Sequence, residues 1–222
     1  MKEFTLTVPA QDFSNALKNA LNFTGEAWND LDGVLLELKD NILSVTSLDS
    51  YVMYSKDIEI DPNSNSSLPV TSHERKDTQS LILTQDQAKS IINATPKKVT
   101  GLADLKIVQP EDRVYHWNCT FSFYGNSVSF ENTKSTFPDI NRLWQGFENL
   151  TSLENANLNI SAKVIILMSK VFKKDDSLHI QVKPNRGIGE AYLISCKEKK
   201  EKILFVGLNP NCYSDDGEEV NS

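Results

Sequence analysis

Apolar residues change their spacing three times along the chain, from every second position to every third or fourth position. Alternation with period two is typical of a strand, and a period near 3.6 is typical of an amphipathic helix. Each change therefore predicts a strand that leads directly into a helix. The predicted strand–helix pairs are residues 4–8 with 9–23, residues 81–83 with 84–95, and residues 158–160 with 161–174.

Three short strand-like runs follow each predicted helix, separated by turn residues such as Asp40-Asn41 and Gly125-Asn126. The runs are residues 33–38, 42–47 and 52–60, then 105–108, 117–123 and 128–132, and finally 178–182, 191–196 and 203–208. The sequence thus predicts an α+β protein built from a repeated strand–helix–three-strand unit, with helices on one face of antiparallel sheets. Chance similarity among the parts of an unrelated α+β fold is the alternative.

The unit boundaries follow from spacers rich in Asn, Ser and Asp. Two units, about 1–62 and 78–145, form a predicted domain over residues 1–145, and a third unit covers residues 150–212. Residues 213–222 are acidic and are expected to be a disordered tail.

Charge is distributed unevenly, and this changes what the net charge implies. A net charge of −7 over 222 residues argues at first against a nucleic-acid partner. Acidic residues of the predicted helices lie mainly in first turns, whereas lysines occupy the middles, the ends and the positions just beyond. Two explanations remain open: solvated helix faces with favourable dipole interactions, or one positive surface for a phosphate backbone. The candidate DNA-binding lysines are Lys18, Lys89, Lys97, Lys98, Lys163, Lys170, Lys173 and Lys174.

Three segments of the sequence carry a family resemblance, namely residues 31–37 with 43–51, residues 136–143 and residues 203–208. Together they resemble the bacterial DNA polymerase III β sliding clamp family. Residues 31–37 (LDGVLLE) with 43–51 (LSVTSLDSY) resemble a stretch of its first motif. Residues 136–143 (TFPDINRL) closely resemble the FPDY-x-R segment that ends its middle domain. Residues 203–208 (ILFVGL) lie where the family carries its C-terminal strand. The chain is therefore identified as a divergent, shortened relative over residues 3–210.

The resemblance implies a DNA-clamp fold and a non-enzymatic role as a processivity factor without cofactors. The implied partners are double-stranded DNA, peptides of DNA polymerase and of the clamp loader, and further copies of the chain in a homo-oligomer. The implied peptide-binding cleft is lined by Leu48, Tyr51, Met53, Pro138, Arg142, Leu143, Val206 and Leu208. Judged without the family, Met53, Leu143 and Val206 are ordinary core candidates.

The chain departs from the family in both motif and length. Ser50-Tyr51-Val52 stands where the family has Gly-His-Arg, and Val206-Gly207-Leu208 stands where it has Met-Pro-Met. A family subunit has three domains of two units each, whereas this chain matches a middle domain and half of a last domain. Twelve units would need four copies, and a half-domain leaves a sheet edge in need of a partner. A phage or mobile-element origin is expected from this compactness, and a clamp-like protein that never encircles DNA is the alternative function.

Other classes of function find little support in the sequence. No dinucleotide or phosphate-binding loop is present, and His116-x-x-Cys119 lacks the second ligand pair of a zinc site. The three histidines lie in different units and outside recognisable catalytic motifs. No apolar run is long enough to span a bilayer, so a cytoplasmic protein without a membrane partner is expected.

Overall fold

The computed structural model describes residues 1–25, 31–70, 79–98, 100–111, 116–133, 136–138, 140, 160–183 and 191–206. The elements of the first unit are β1 (Lys2–Pro9), α1 (Ala10–Ala20), β2 (Gly33–Lys39), β3 (Ile42–Leu48) and β4 (Val52–Glu59). Those of the second are β5 (Gln79–Thr84), α2 (Gln85–Ala94), β6 (Leu102–Gln109), β7 (Trp117–Phe123) and β8 (Asn126–Asn132). The third contains α3 (Ala162–Val171), β9 (His179–Lys183), β10 (Ala191–Cys196) and β11 (Glu201–Val206).

Local sequence signals account for the helix boundaries. The Thr84 hydroxyl accepts a hydrogen bond from the Gln87 backbone amide, and the Gln87 side-chain oxygen accepts one from the Thr84 backbone amide. Together the two bonds form a capping box. The Ser161 hydroxyl caps α3 by accepting from the Val164 amide. Helix α3 ends at Val171, three residues before the predicted end at Lys174. The predicted strand at residues 158–160 falls outside the described residues except for Ile160, which is not in a strand.

The first two units exchange their leading strands. Strand β1 pairs with β6 of the second unit, with Leu6 opposite Leu105, and β5 pairs with β2 of the first unit, with Leu81 opposite Leu36. The resulting four-stranded sheet has the order β1-β6-β7-β8, and every described strand pair is antiparallel. These sheets and the helices packed on them confirm the predicted α+β class with helices on antiparallel sheets.

The third unit extends the sheet of the first. Strand β11 pairs with β4, which gives a seven-stranded sheet in the order β5-β2-β3-β4-β11-β10-β9. Helices α1 and α2 pack against each other, and the Phe13 ring of α1 lies 6.3 Å from the Phe121 ring of β7 in the other sheet. One main hydrophobic core therefore joins α1, α2 and α3 with both of the described sheets.

Candidate functional surfaces

The seven-stranded sheet is apolar on both faces. On one face, Ser47 donates a hydrogen bond of 2.7 Å to the Ala20 carbonyl of α1, and Tyr54 is fully buried beside it. Side chains alternate along a strand, so the neighbouring residues Leu48 and Met53 point away from α1. We call the sheet face that Leu48 and Met53 share the outer face. A second hydrophobic core lies on this outer face. A fold with helices on only one face of its sheet does not by itself require such a core.

This outer cluster consists of Leu31, Leu35, Leu48, Met53, Ile82, Ile140 and Leu204, with Phe137 and Leu193 packed against it. A continuous cross-strand row forms its centre. Leu48 lies opposite Met53, Met53 opposite Leu204, and Leu204 opposite Leu193. The row crosses the pairing between β4 of the first unit and β11 of the third unit, which we call the β4–β11 seam. Residues of both units therefore form the outer cluster.

The structure brings several predicted cleft residues to the outer cluster. Leu48 is 8% exposed and Met53 is 3% exposed, while Tyr51 lies at the adjacent β3–β4 turn and is 66% exposed. Pro138 is half-buried and follows Phe137, which packs against the outer cluster, two residues before Ile140, which belongs to it. Arg142, Leu143 and Leu208 lie outside the described residues, as does the side chain of Val206, whose backbone ends β11.

A buried polar network holds the same seam from the helix side. The Glu201 carboxylate of β11 accepts hydrogen bonds of 3.0 Å from the Asn19 amide and 3.0 Å from the Tyr54 hydroxyl. Its oxygen also lies 3.8 Å from the Lys56 ammonium, and the Glu201 side chain is only 3% exposed. Burial and, secondly, repulsion by Glu201 raise the pKa of Tyr54, which therefore remains a neutral donor.

All eight candidate DNA-binding lysines are exposed. In α1, Lys18 projects from the side opposite the buried Phe13, Ala16 and Leu17, and in α2 Lys89 is exposed while Ala88 and Ile91 are buried. Lys89 lies 3.2 Å from Asp86 at the surface. Within the part of the chain that the structure describes, the ammonium groups of Lys18, Lys97, Lys98, Lys170, Lys173 and Lys174 form no ion pair with a carboxylate, although the charge of Lys173 contributes to lowering the pKa of Asp176.

Lys163 differs from the other seven because its ion pair joins α3 to a residue far away in the sequence. Its ammonium donates a 2.8 Å hydrogen bond to Asp49, beside the β3–β4 turn. Partial burial raises the pKa of Asp49, but hydrogen bonds from Lys163 and the Ser50 amide outweigh this effect, and the net pKa is lowered. The contact ties the start of α3 to the turn that carries Tyr51. It connects a candidate DNA-binding residue with the edge of the outer cluster.

Solved structures provide an independent comparison of the whole architecture. The chain superposes on a DNA polymerase sliding clamp from Bacillus subtilis with a TM-score of 0.61 and 12% identity, covering 92% of this chain. A sliding clamp from Pseudomonas aeruginosa gives 0.59 with 10% identity over 93% of this chain. The Helicobacter pylori β clamp bound to a DNA ligase peptide gives 0.54 with 10% identity over 97% of this chain. The chain has the sliding-clamp fold.

The match covers only part of each of these clamps. The chain spans 64% of the Bacillus subtilis clamp and 66% of a putative DNA polymerase III β subunit from Eubacterium rectale. No family model matches the sequence, and no curated protein matches it. The suspected kinship with sliding clamps is thus confirmed at the level of fold, with little of the sequence retained.

Sequence reasoning missed several members of the outer cluster in this clamp fold. Leu204 and Leu193 sit at its centre, and Leu35 and Ile82 lie on the neighbouring strands. The available signal was the continuous apolar run of β2 and of residues 203–206, since strands buried on both faces lose their alternation. Within the described residues, no group of three metal-ligating side chains occurs, and no helix there is long and apolar enough to cross a membrane.

Proposed function

We propose that this chain is a DNA sliding clamp, a polymerase processivity factor in which several copies together surround duplex DNA without sequence preference. The observation that carries the proposal is the sliding-clamp fold over 92% of the chain, combined with exposed lysines on each of the helices α1, α2 and α3. Lysines make point-charge contacts with phosphates and read no bases, which suits a protein that moves along DNA. Such a role requires neither a cofactor nor a catalytic group, and the clamp neighbours support a non-enzymatic protein.

Primer extension tests this proposal. A bacterial replicative polymerase at limiting concentration extends a singly primed circular template, with an excess of competitor DNA as a trap and with or without a clamp loader and ATP. We expect longer products per binding event when the chain is present, because a tethered polymerase rebinds its own primer end. Product lengths unchanged by the chain, both with and without the loader, would contradict the proposal.

The outer cluster is the proposed docking surface for polymerase and loader peptides. Aliphatic and Met side chains form an adaptable apolar surface at the seam, and the exposed Tyr51 ring stands at its edge. Arg142, Leu143 and Leu208 of the predicted cleft lie outside the described residues, and we include them in the proposed docking surface.

Replacing Tyr51 with alanine is expected to weaken peptide binding about 10-fold, since exposed aromatic side chains are common anchors at interfaces. The measurement is fluorescence anisotropy with a labelled clamp-binding peptide from a bacterial polymerase. Tyr124→Ala is the matched control, because Tyr124 is 80% exposed on the other sheet. Both variants should keep the wild-type free energy of unfolding. Equal peptide affinity in the two variants would place the peptide elsewhere.

A non-encircling clamp-like protein that binds replication proteins is the second candidate. It is supported by the extent of the structural match, which covers only 64% of the Bacillus subtilis clamp. The two functions differ in topology. A ring loaded on nicked circular DNA stays bound at high salt and dissociates after the circle is cut. A protein bound only by charge dissociates at high salt from the circular and from the cut DNA equally.

A further inference from the structure

The hairpin between β7 and β8 turns through two residues that both have left-handed backbone angles. Tyr124 has a φ of 42° and Gly125 a φ of 84°. Such a two-residue turn favours Asn, Asp or Gly at its first position, because a bulky side chain is strained at positive φ. The hairpin between β2 and β3 follows this rule, with Asp40 and Asn41 at φ values of 49° and 61°. Tyr124 therefore occupies a position for which the turn itself does not select an aromatic residue.

The Tyr124 ring is held in place although the residue is 80% exposed. It meets the buried Phe123 ring nearly at a right angle, with 4.6 Å between the two ring centroids. It also lies against the backbone at Gly101, where an added Cβ atom would stand 3.0 Å from Cε2 and from the hydroxyl oxygen of Tyr124. An exposed ring that the protein already supports loses little conformational freedom when a flat ligand stacks on it.

The contact with Gly101 brings the ring close to a basic loop. Lys97 and Lys98 follow α2 and are exposed, and neither forms an ion pair within the part of the chain that the structure describes. Lys98 precedes Gly101 by three residues, so their Cα atoms are at most about 11 Å apart. Residues 87–103 include three lysines and no acid, and residues 117–130 include no charged side chain. The segments on both sides of the ring therefore carry positive charge or none.

The remaining polar groups near the turn suit a nucleotide better than a protein. Asp104, the first acid along β6, accepts a 2.7 Å hydrogen bond from Thr7 of β1, which lies on the side of β6 opposite to β7. The other exposed residues of the hairpin end are small and polar, namely Ser122, Asn126 and Ser127. Aromatic anchors of protein interfaces usually lie in closely packed pockets. A ring among lysines and small polar side chains instead resembles a site for a base and its phosphates.

We propose that Tyr124 stacks on an unpaired base of single-stranded DNA, while Lys97 and Lys98 contact the phosphates beside that base. Leu102, exposed next to Gly101, offers an apolar contact to the same nucleotide. Every base has a flat face and lysines read no sequence, so the site has no base preference. Duplex DNA does not fill it, because the faces of paired bases are covered by their neighbours in the stack.

The site goes beyond the proposed ring, since a single strand is bound without being encircled. It also lies apart from the outer cluster, because Tyr124 belongs to the four-stranded sheet. Oligonucleotides without any duplex test the stacking site, whereas primer extension tests the processivity factor. Each proposal can therefore fail while the other holds.

Fluorescence anisotropy of the full chain with a labelled oligothymidine of about 12 nucleotides, at low salt, tests the site. Tyr124→Asn should weaken binding about 10-fold because the stacking partner is lost, whereas Tyr124→Phe should stay within about 2-fold of the wild type. Asn is favoured at this turn position, so Tyr124→Asn should resist urea as well as the wild type does. Affinity for a duplex of equal length should be the same in all three proteins.

An abasic oligonucleotide of the same length separates stacking from charge, because it keeps the phosphates and lacks the bases. The wild type should prefer oligothymidine about 10-fold, and Tyr124→Asn should bind the two alike. The double variant Lys97→Gln and Lys98→Gln should make the slope of log K against log salt shallower by about 1.4 for both oligonucleotides. Its matched control is Lys39→Gln with Lys197→Gln, two exposed lysines elsewhere, which should leave the slope unchanged.

A wild-type chain that does not bind oligothymidine would overturn the proposal. So would equal affinities of the wild type and Tyr124→Asn, or a loss in Tyr124→Asn that is equally large for the abasic oligonucleotide. If Tyr124→Asn lowers the affinity for a replicative polymerase and leaves oligothymidine binding intact, the surface binds a protein and the proposal is wrong.

Discussion

DNA binding is expected to fall at least about 100-fold at low salt when Lys18, Lys89 and Lys170 are all replaced by glutamate. Each lysine is exposed on a different helix, so the triple variant reverses charge on all three helical surfaces at once. Neutralising a phosphate releases condensed counterions. Each lost lysine–phosphate contact therefore makes the slope of log K against log salt shallower by about one. The slope of log K against log salt should drop by about three.

The measurement is a salt titration of binding to a fluorescent duplex, repeated with several unrelated sequences. The control replaces Lys2, Lys39 and Lys197 with glutamate; these lysines are also exposed but lie outside the helices. Net charge changes equally in the two triple variants. Only the helical variant should lose affinity and salt dependence, by the same factor for every sequence. If both variants weaken binding equally, overall charge governs it and the helices hold no special position.

Replacing Glu201 with alanine is expected to lower the free energy of unfolding by about 3–5 kcal/mol. The buried carboxylate accepts hydrogen bonds from Asn19 and Tyr54 and pairs with Lys56. Its removal therefore takes a partner from each of these three polar groups at the β4–β11 seam. A buried cation without its counter-charge is costly because the protein interior solvates it poorly. Destabilisation should centre on the third unit, which the described chain joins to the first sheet through this seam.

Urea denaturation followed by circular dichroism gives the free energy, and limited proteolysis shows whether the third unit opens first. Glu198→Ala is the control, since Glu198 is exposed in the β10–β11 turn and its loss should cost less than about 0.5 kcal/mol. Glu201→Gln should fall between these two variants, because the amide oxygen still accepts one hydrogen bond while the charge is lost. Similar unfolding curves for Glu201→Ala and Glu198→Ala would mean that the network contributes little to the seam.

The local features of the fold were predictable because they follow from neighbouring residues. The period of 3.6 at Ala88, Ile91 and Ile92 gave α2, and the pair Thr84 and Gln87 gave its capping box. Strand pairing over long sequence distances was not predictable in the same way. Nothing near Leu6 indicates that Leu105 lies opposite, since many apolar strands offer an equivalent ladder of hydrogen bonds.

The candidate site was predictable only in part for the same reason. The resemblance led to Leu48 and Met53, but the row continues through Leu204 and Leu193 of the third unit. Its other side depends on Glu201, which the sequence reading left outside a strand predicted to begin at residue 203. From the sequence, a charged residue at the start of a strand is expected to be exposed to solvent. Glu201 is a buried acceptor because Tyr54 and Asn19 lie within hydrogen-bonding distance of its carboxylate.

The exchange of leading strands has a consequence for synthesis on the ribosome. Strand β1 emerges first, but its partner β6 begins only at Leu102, and translation at about 5–20 residues per second separates the two by about 5–20 s. For most of that time the first unit has neither β5, which begins only at Gln79, nor β6 with which to close its sheets. The nascent chain therefore carries open strand edges for seconds, which slows folding and invites pairing between neighbouring chains on the same messenger RNA.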